Sequence, residues 1–141
     1  MMRYSYLVVE RPKTLKEALE LLSEGGYEIV AGSTDVSVMI KDGLLKEKKL
    51  LDISGLKELK FLRESDDVIE LGPLLTFSEC LSSPMLNRYA PLLLEAIKTI
   101  GSPQIRNLGT VGGNLGTGSP AGDTIPPLYV MNARLVLKGL K

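Results

Sequence analysis

Histidine and tryptophan are missing from this sequence, and cysteine occurs once, at Cys80, in 141 residues. A single cysteine cannot close an intrachain disulfide and suits a reducing compartment, so a cytoplasmic protein is expected. Without histidine, and with one thiol, the chain cannot by itself build a zinc site or ligate an iron–sulfur cluster. Nor can it assemble a Ser-His-Asp or Cys-His catalytic group. An excess of charge of either sign is missing too: 17 basic side chains balance 17 acidic ones. A surface that tracks nucleic-acid phosphates leaves a basic excess, so nucleic acid is not an expected partner. Long apolar runs are also absent. The longest uncharged stretch, Asn107–Gly122, is built on glycine rather than leucine or valine, so no membrane span is expected. Any chemistry performed here must come from a cofactor or a partner.

What is present divides into two regions. Residues 1–54 read as a small β-α-β-α-β unit in which parallel pairing is expected. Its elements are a strand over Tyr6–Val9, a helix from Thr14, a strand over Glu28–Ala31, a short helix from Val36 to Gly43 and a strand over Lys49–Ile53. Thr14-Leu15-Lys16-Glu17 is a capping box, with Thr14 as N-cap and Glu17 reaching back to it. Leu15, Ala18, Leu19 and Leu22 fall on one face of that helix, and Gly25-Gly26 ends it. Residues 55–141 read as a second unit. It begins with a helical turn leading to a strand within Leu56–Leu62, then a strand over Val68–Leu71. Helices follow over Thr76–Ser82, Pro91–Ile100 and Asp123–Val130, and a last strand over Arg134–Leu137. The run Lys46–Lys49 reads as a solvated turn, and Cys80, between Phe77 and Leu81, as a buried structural thiol.

Three segments could carry chemistry. Val30-Ala31-Gly32-Ser33-Thr34-Asp35 runs from a strand into a small-residue turn that opens a helix, where free N–H groups can meet an anion. Many such turns carry glycine and a capping residue for structural reasons alone. Between Ala96 and Gly122 there is no acidic residue, only Lys98 and Arg106 are charged, and 7 of the 14 glycines fall there. Within it, Thr110-Val111-Gly112-Gly113-Asn114 can fold into a loop of N–H donors that cradles a pyrophosphate, undisturbed by nearby carboxylates. It lacks the Gly-Lys-Ser/Thr of a P-loop, and also the spacing and the helix of a Rossmann fingerprint. Asp123, in Ser119-Pro120-Ala121-Gly122-Asp123, either caps the following helix or accepts from a nucleotide. Arg106 either pairs with phosphate or holds the glycine loop from beneath.

In order and spacing, these segments resemble the FAD-binding subunit of the molybdenum hydroxylases, the group of xanthine dehydrogenase and of the medium subunit of carbon monoxide dehydrogenase. The resemblance starts at Pro12-x-Thr14-Leu15-x-Glu17-Ala18. It continues through Ala31–Asp35 and Leu51-Asp52-Ile53-Ser54, and is strongest from Ile100-Gly101-Ser102-Pro103-Gln104-Ile105-Arg106-Asn107 into Gly109–Leu115 and Ser119–Asp123. It implies an α+β, two-lobed FAD-binding fold of the vanillyl-alcohol-oxidase type, with lobes over 1–54 and 55–141. It also implies that a C-terminal domain of such subunits is lacking here. The FAD site would be Ile29, Val30, Ala31, Gly32, Ser33, Thr34, Asp35 and Val36 from one segment. Gly101, Thr110, Gly112, Gly113, Asn114 and Asp123 would complete it. Where the family often has glycine this chain has Ser33, which loses glycine's freedom to take positive φ.

The implied function is electron transfer. A molybdopterin-binding large subunit and an iron–sulfur small subunit would carry the molybdenum centre and the [2Fe–2S] clusters, and FAD on this chain would pass electrons to NAD, oxygen or a quinone. Two other readings stay open at this level: a flavin-free scaffold of the same fold, and a stand-alone flavoenzyme.

Overall fold

A computed structural model describes residues 8–45 and 49–140. The start of the expected strand over Tyr6–Val9, and Lys46–Lys48 of the expected turn, lie outside the described residues. The N-terminal unit contains β1 (Val9–Glu10), α1 (Leu15–Glu24), β2 (Tyr27–Val30), α2 (Val36–Lys41) and β3 (Lys49–Asp52). Its three strands form one parallel sheet in the order β1-β3-β2, with Val9 opposite Leu50 and Ile29 opposite Leu51. Successive side chains on a strand point to opposite faces, which explains the two cores around β3. Leu51 packs with Ala18, Leu56 and Leu74 on one face. Leu50 packs with Val30, Leu45 and the α2 residues Val36 and Met39 on the other. Both leucines are buried, as a central parallel strand requires.

The α1 start departs from expectation by one residue. Thr14 accepts from the Glu17 N–H at 3.2 Å, but the Glu17 carboxylate takes the N–H of Lys13, at 2.7 Å, rather than that of Thr14. The complete reciprocal box sits at α3 (Phe77–Leu81), between Thr76 and Glu79. Burial pushes the pKa of Glu79 up, but the Lys60 ammonium and the Thr76 donors outweigh it and hold the carboxyl below its ordinary value.

Beyond a 3₁₀ turn at Lys57–Leu59, β4 (Leu62–Ser65) and β5 (Val68–Leu71) form an antiparallel hairpin. Then come α3, α4 (Pro84–Tyr89), α5 (Pro91–Lys98), α6 (Pro103–Leu108), α7 (Val111–Thr117) and α8 (Ile125–Val130). Their core gathers Phe77, Cys80, Leu86, Leu93, Leu94, Ile97 and Val111. The architecture is α+β. Four expectations need correction. Helices α4 and α6 were not expected, though each is announced by a serine N-cap followed by proline, at Ser83-Pro84 and Ser102-Pro103. The glycine stretch after Thr110 is helical. Helix α8 starts at Ile125, so Asp123 does not cap it, and Pro126 and Pro127 fall in its first turn. Arg134–Leu137 is no strand among the described residues: it pairs with no neighbour, and Leu137 is 89% exposed.

Candidate functional site

The turn after β2 and the helix α7 face one another across a cleft of about 620 Å³. On the N-terminal side the wall is Ile29, Ala31–Val36 and Met39. On the other it is Pro73, Leu74, Phe77, Thr110, Gly112–Asn114, Gly116 and Thr117, with Ile53, Ile100 and Ile105 adding apolar surface. The two sides are in direct contact. Thr117 Oγ1 lies 3.2 Å from Asp35 Oδ2, a donor and an acceptor 82 residues apart in sequence. A side-chain carbon added at Gly32 would sit 1.9 Å from the Leu108 carbonyl oxygen, so only glycine lets β2 end against α6.

In the β2–α2 turn, Ser33 adopts a φ of 62°, the conformation expected to favour glycine there. The N–H groups of Ser33, Thr34 and Asp35 donate to no backbone carbonyl of the described residues. All three residues line the cleft. On α7 the expected loop of donors does not form. Val111 donates to Leu75 O at 3.0 Å, Gly112 to Pro73 O at 2.9 Å, and Gly113 to its own cap, Thr110 Oγ1, at 3.0 Å. The glycines do different work. Gly112 lets α7 sit on Pro73, whose Cβ would lie 2.4 Å from an added carbon. Gly116 has nothing within 4 Å of such a carbon, and Gly113 has only Thr110 Oγ1. Gly113 and Gly116 therefore present bare backbone to the cleft, a surface that a ligand can approach closely.

Of the residues expected at the site, Val30, Gly101 and Asp123 do not border the cleft. Val30 points into the core with Leu45 and Leu50. Gly101 turns the chain at a φ of 48° beside it. Asp123 is exposed. Arg106 Nη1 donates to Ile100 O at 2.9 Å and to Gly101 O at 3.4 Å, so it supports the segment entering α6 rather than the glycine stretch after Thr110, and it does not line the cleft. Residues not expected include Phe77, Met39, Ile53, Gly116 and Thr117. Thr117 and Gly116 lie one helical turn beyond Asn114 and Gly113, and a helix prediction through the glycines would have found them.

The electrostatics also differ from expectation. Folding brings Glu28 and Asp35 to the wall of a cleft whose α7 segment has no acidic residue, and no Lys or Arg lines it among the described residues. An anion held here depends on backbone donors rather than on ion pairing. Cys80 lies outside the cleft, 1% exposed, its thiol pushed up to about 11 by burial and further by the Glu79 carboxylate, so it stays protonated and inert at neutral pH. No helix of the described residues is long and apolar enough to cross a membrane.

The model of the FAD binding domain in molybdopterin dehydrogenase matches residues 3–141. The nicotinate dehydrogenase FAD-subunit of Eubacterium barkeri is 40% identical over 135 residues, covering 92% of this chain and 45% of that protein. The carbon monoxide dehydrogenase medium chain of Hydrogenophaga pseudoflava is 34% identical, covering 91% and 45%. The structure of reconstituted CO dehydrogenase from Oligotropha carboxidovorans matches with a TM-score of 0.82 at 28% identity, covering 87% of this chain and 44% of that one. This chain thus spans a little under half the length of the relatives it matches. The glycine-bearing turn and the glycine-faced helix that close on one cleft lie within a family match that takes in nearly every residue, and the chain belongs to the family of FAD-binding domains of molybdopterin dehydrogenases.

Proposed function

We propose that this chain binds FAD in the cleft between the β2–α2 turn and α7, as part of the electron-transfer subunit of a molybdopterin-dependent hydroxylase or dehydrogenase. The carrying observation is the pairing of open turn donors with a bare glycine face across a cleft of about 620 Å³. That volume falls in the range of roughly 300–1,000 Å³ usual for cofactor sites. The N–H groups of Ser33, Thr34 and Asp35 would hold the pyrophosphate, and Gly113 and Gly116 would let it approach α7. Ile29, Met39, Ile53, Phe77, Ile100 and Ile105 would cover its apolar parts and exclude water. FAD supplies the redox chemistry when bound, and the protein supplies position and electrostatics.

In this reading residues 1–54 and 55–141 are the two lobes of a fold of the vanillyl-alcohol-oxidase type. The partners are a molybdopterin-binding large subunit and an iron–sulfur small subunit, and the acceptor is NAD, oxygen or a quinone. The names of the relatives, FAD-subunit and medium chain of dehydrogenases, support this organisation. The test is titration with FAD, alone and with the partner subunits, followed by thermal melting and visible absorption. A raised melting temperature and a protein-bound flavin spectrum are expected. Neither change, even with partners present, would overturn the proposal in favour of a flavin-free scaffold.

A further inference from the structure

Thr124 has no exposed surface and stands outside the cleft, yet its hydroxyl reaches a residue that lines it. Thr124 Oγ1 donates to Asn114 Oδ1, a hydrogen bond between α7 and the residue before α8. A buried hydroxyl proton needs an acceptor, and Asn114 Oδ1 is the one it has among the described residues. Turning the amide over would set its NH₂ against the hydroxyl and strand that proton. The carbonyl of Asn114 is thereby committed to Thr124, and the NH₂ takes the opposite direction. No buried side-chain nitrogen or oxygen of the described residues lacks a partner, so Asn114 Nδ2, which makes no hydrogen bond there, is open to the surroundings. Asn114 is itself part of the cleft wall.

We infer that Thr124 is a positioning residue, which locks the Asn114 amide so that Nδ2 donates into the cleft, to an acceptor of the bound flavin nucleotide. The inference rests on the FAD reading above and adds a residue that makes no contact with the ligand itself. In a cleft lined by no Lys or Arg among the described residues, a correctly turned amide donor carries more weight than it would beside a cation. Thr124→Val keeps the shape of the side chain and removes the hydroxyl, which frees the amide to rotate. Thr124→Ser retains the hydroxyl.

The experiment is FAD titration by flavin fluorescence for the unaltered chain, Thr124→Val, Thr124→Ser, Asn114→Ala and the Asn114→Ala, Thr124→Val double variant. The expected result is about tenfold weaker binding for Thr124→Val, the loss that accompanies one hydrogen bond, with recovery in Thr124→Ser. The double variant should bind no more weakly than Asn114→Ala, because Thr124 acts through Asn114. Additive losses in the double variant, or unchanged affinity in Thr124→Val, would overturn the inference while leaving the FAD site standing. Failure of the unaltered chain to bind FAD, even with its partners, would remove the parent reading and this one with it.

Discussion

Ser33 holds a φ of 62° in the turn that lines the cleft, an angle glycine takes freely and other residues at a cost of roughly 1 kcal/mol or more. The position could be marked from sequence because the resemblance places glycine there; the angle itself belongs to the fold, which presses the neighbouring Gly32 against α6. Two substitutions separate these effects. Ser33→Gly relieves the strain but frees the unfolded chain, so its net effect on stability should stay within about 1 kcal/mol. Ser33→Val puts a β-branched side chain at a positive φ and should lower stability by about 2 kcal/mol. Urea midpoints decide between them, and equal midpoints would show that the turn does not hold this conformation.

Helix α7 shows how an element can hide. Glycine costs roughly 1 kcal/mol relative to alanine within a helix, and Gly112, Gly113 and Gly116 lower the helical signal of a stretch that tertiary contacts nonetheless wind. Thr110 caps it, and Pro73 and Leu75 take its first N–H groups. The same serine-proline and threonine signals that mark α4, α6 and α7 were legible, but they had to compete with the glycine and loop signals around them. Gly116 gives the test at this scale. Its missing side chain faces open space, so Gly116→Ala should stabilise the free protein by about 0.5–1 kcal/mol through helix propensity. The added methyl should weaken FAD binding several-fold if the cofactor lies against α7. Melting temperature and FAD affinity are expected to move in opposite senses; a variant in which both rise would detach the cofactor from the glycine face.

For the whole molecule, the decisive feature is the seam where β2 ends against α6. Gly32 can approach the Leu108 carbonyl because it carries no side chain, and a methyl there would lie 1.9 Å from that oxygen. A backbone carbonyl cannot swing away as a side-chain tip can, so Gly32→Ala must part the two walls of the cleft. A loss of about 1–3 kcal/mol is expected, measured as a lower midpoint in guanidinium unfolding. An unaltered midpoint would mean that the walls do not close in solution as described. The same closeness brings Asp35 to Thr117 across the cleft, a contact between residues 82 positions apart that local sequence cannot show.

By itself, the sequence determined the parallel N-terminal unit, the Thr14 cap and the two glycine-bearing segments, because each depends on residue identity or on neighbours a few positions away. The family followed from the order of those segments. Only the tertiary structure decided which N–H groups stay open, that Arg106 supports the chain entering α6, that Asp123 stands outside the cleft, and that Thr124 reaches Asn114. Those outcomes turn on partners distant in sequence or on the exact direction of a side chain: Leu75 and Pro73 consume the donors of α7, and α5-end carbonyls consume Arg106. A hydrogen-bonding group has one set of partners at a time, and the fold chooses which set it is.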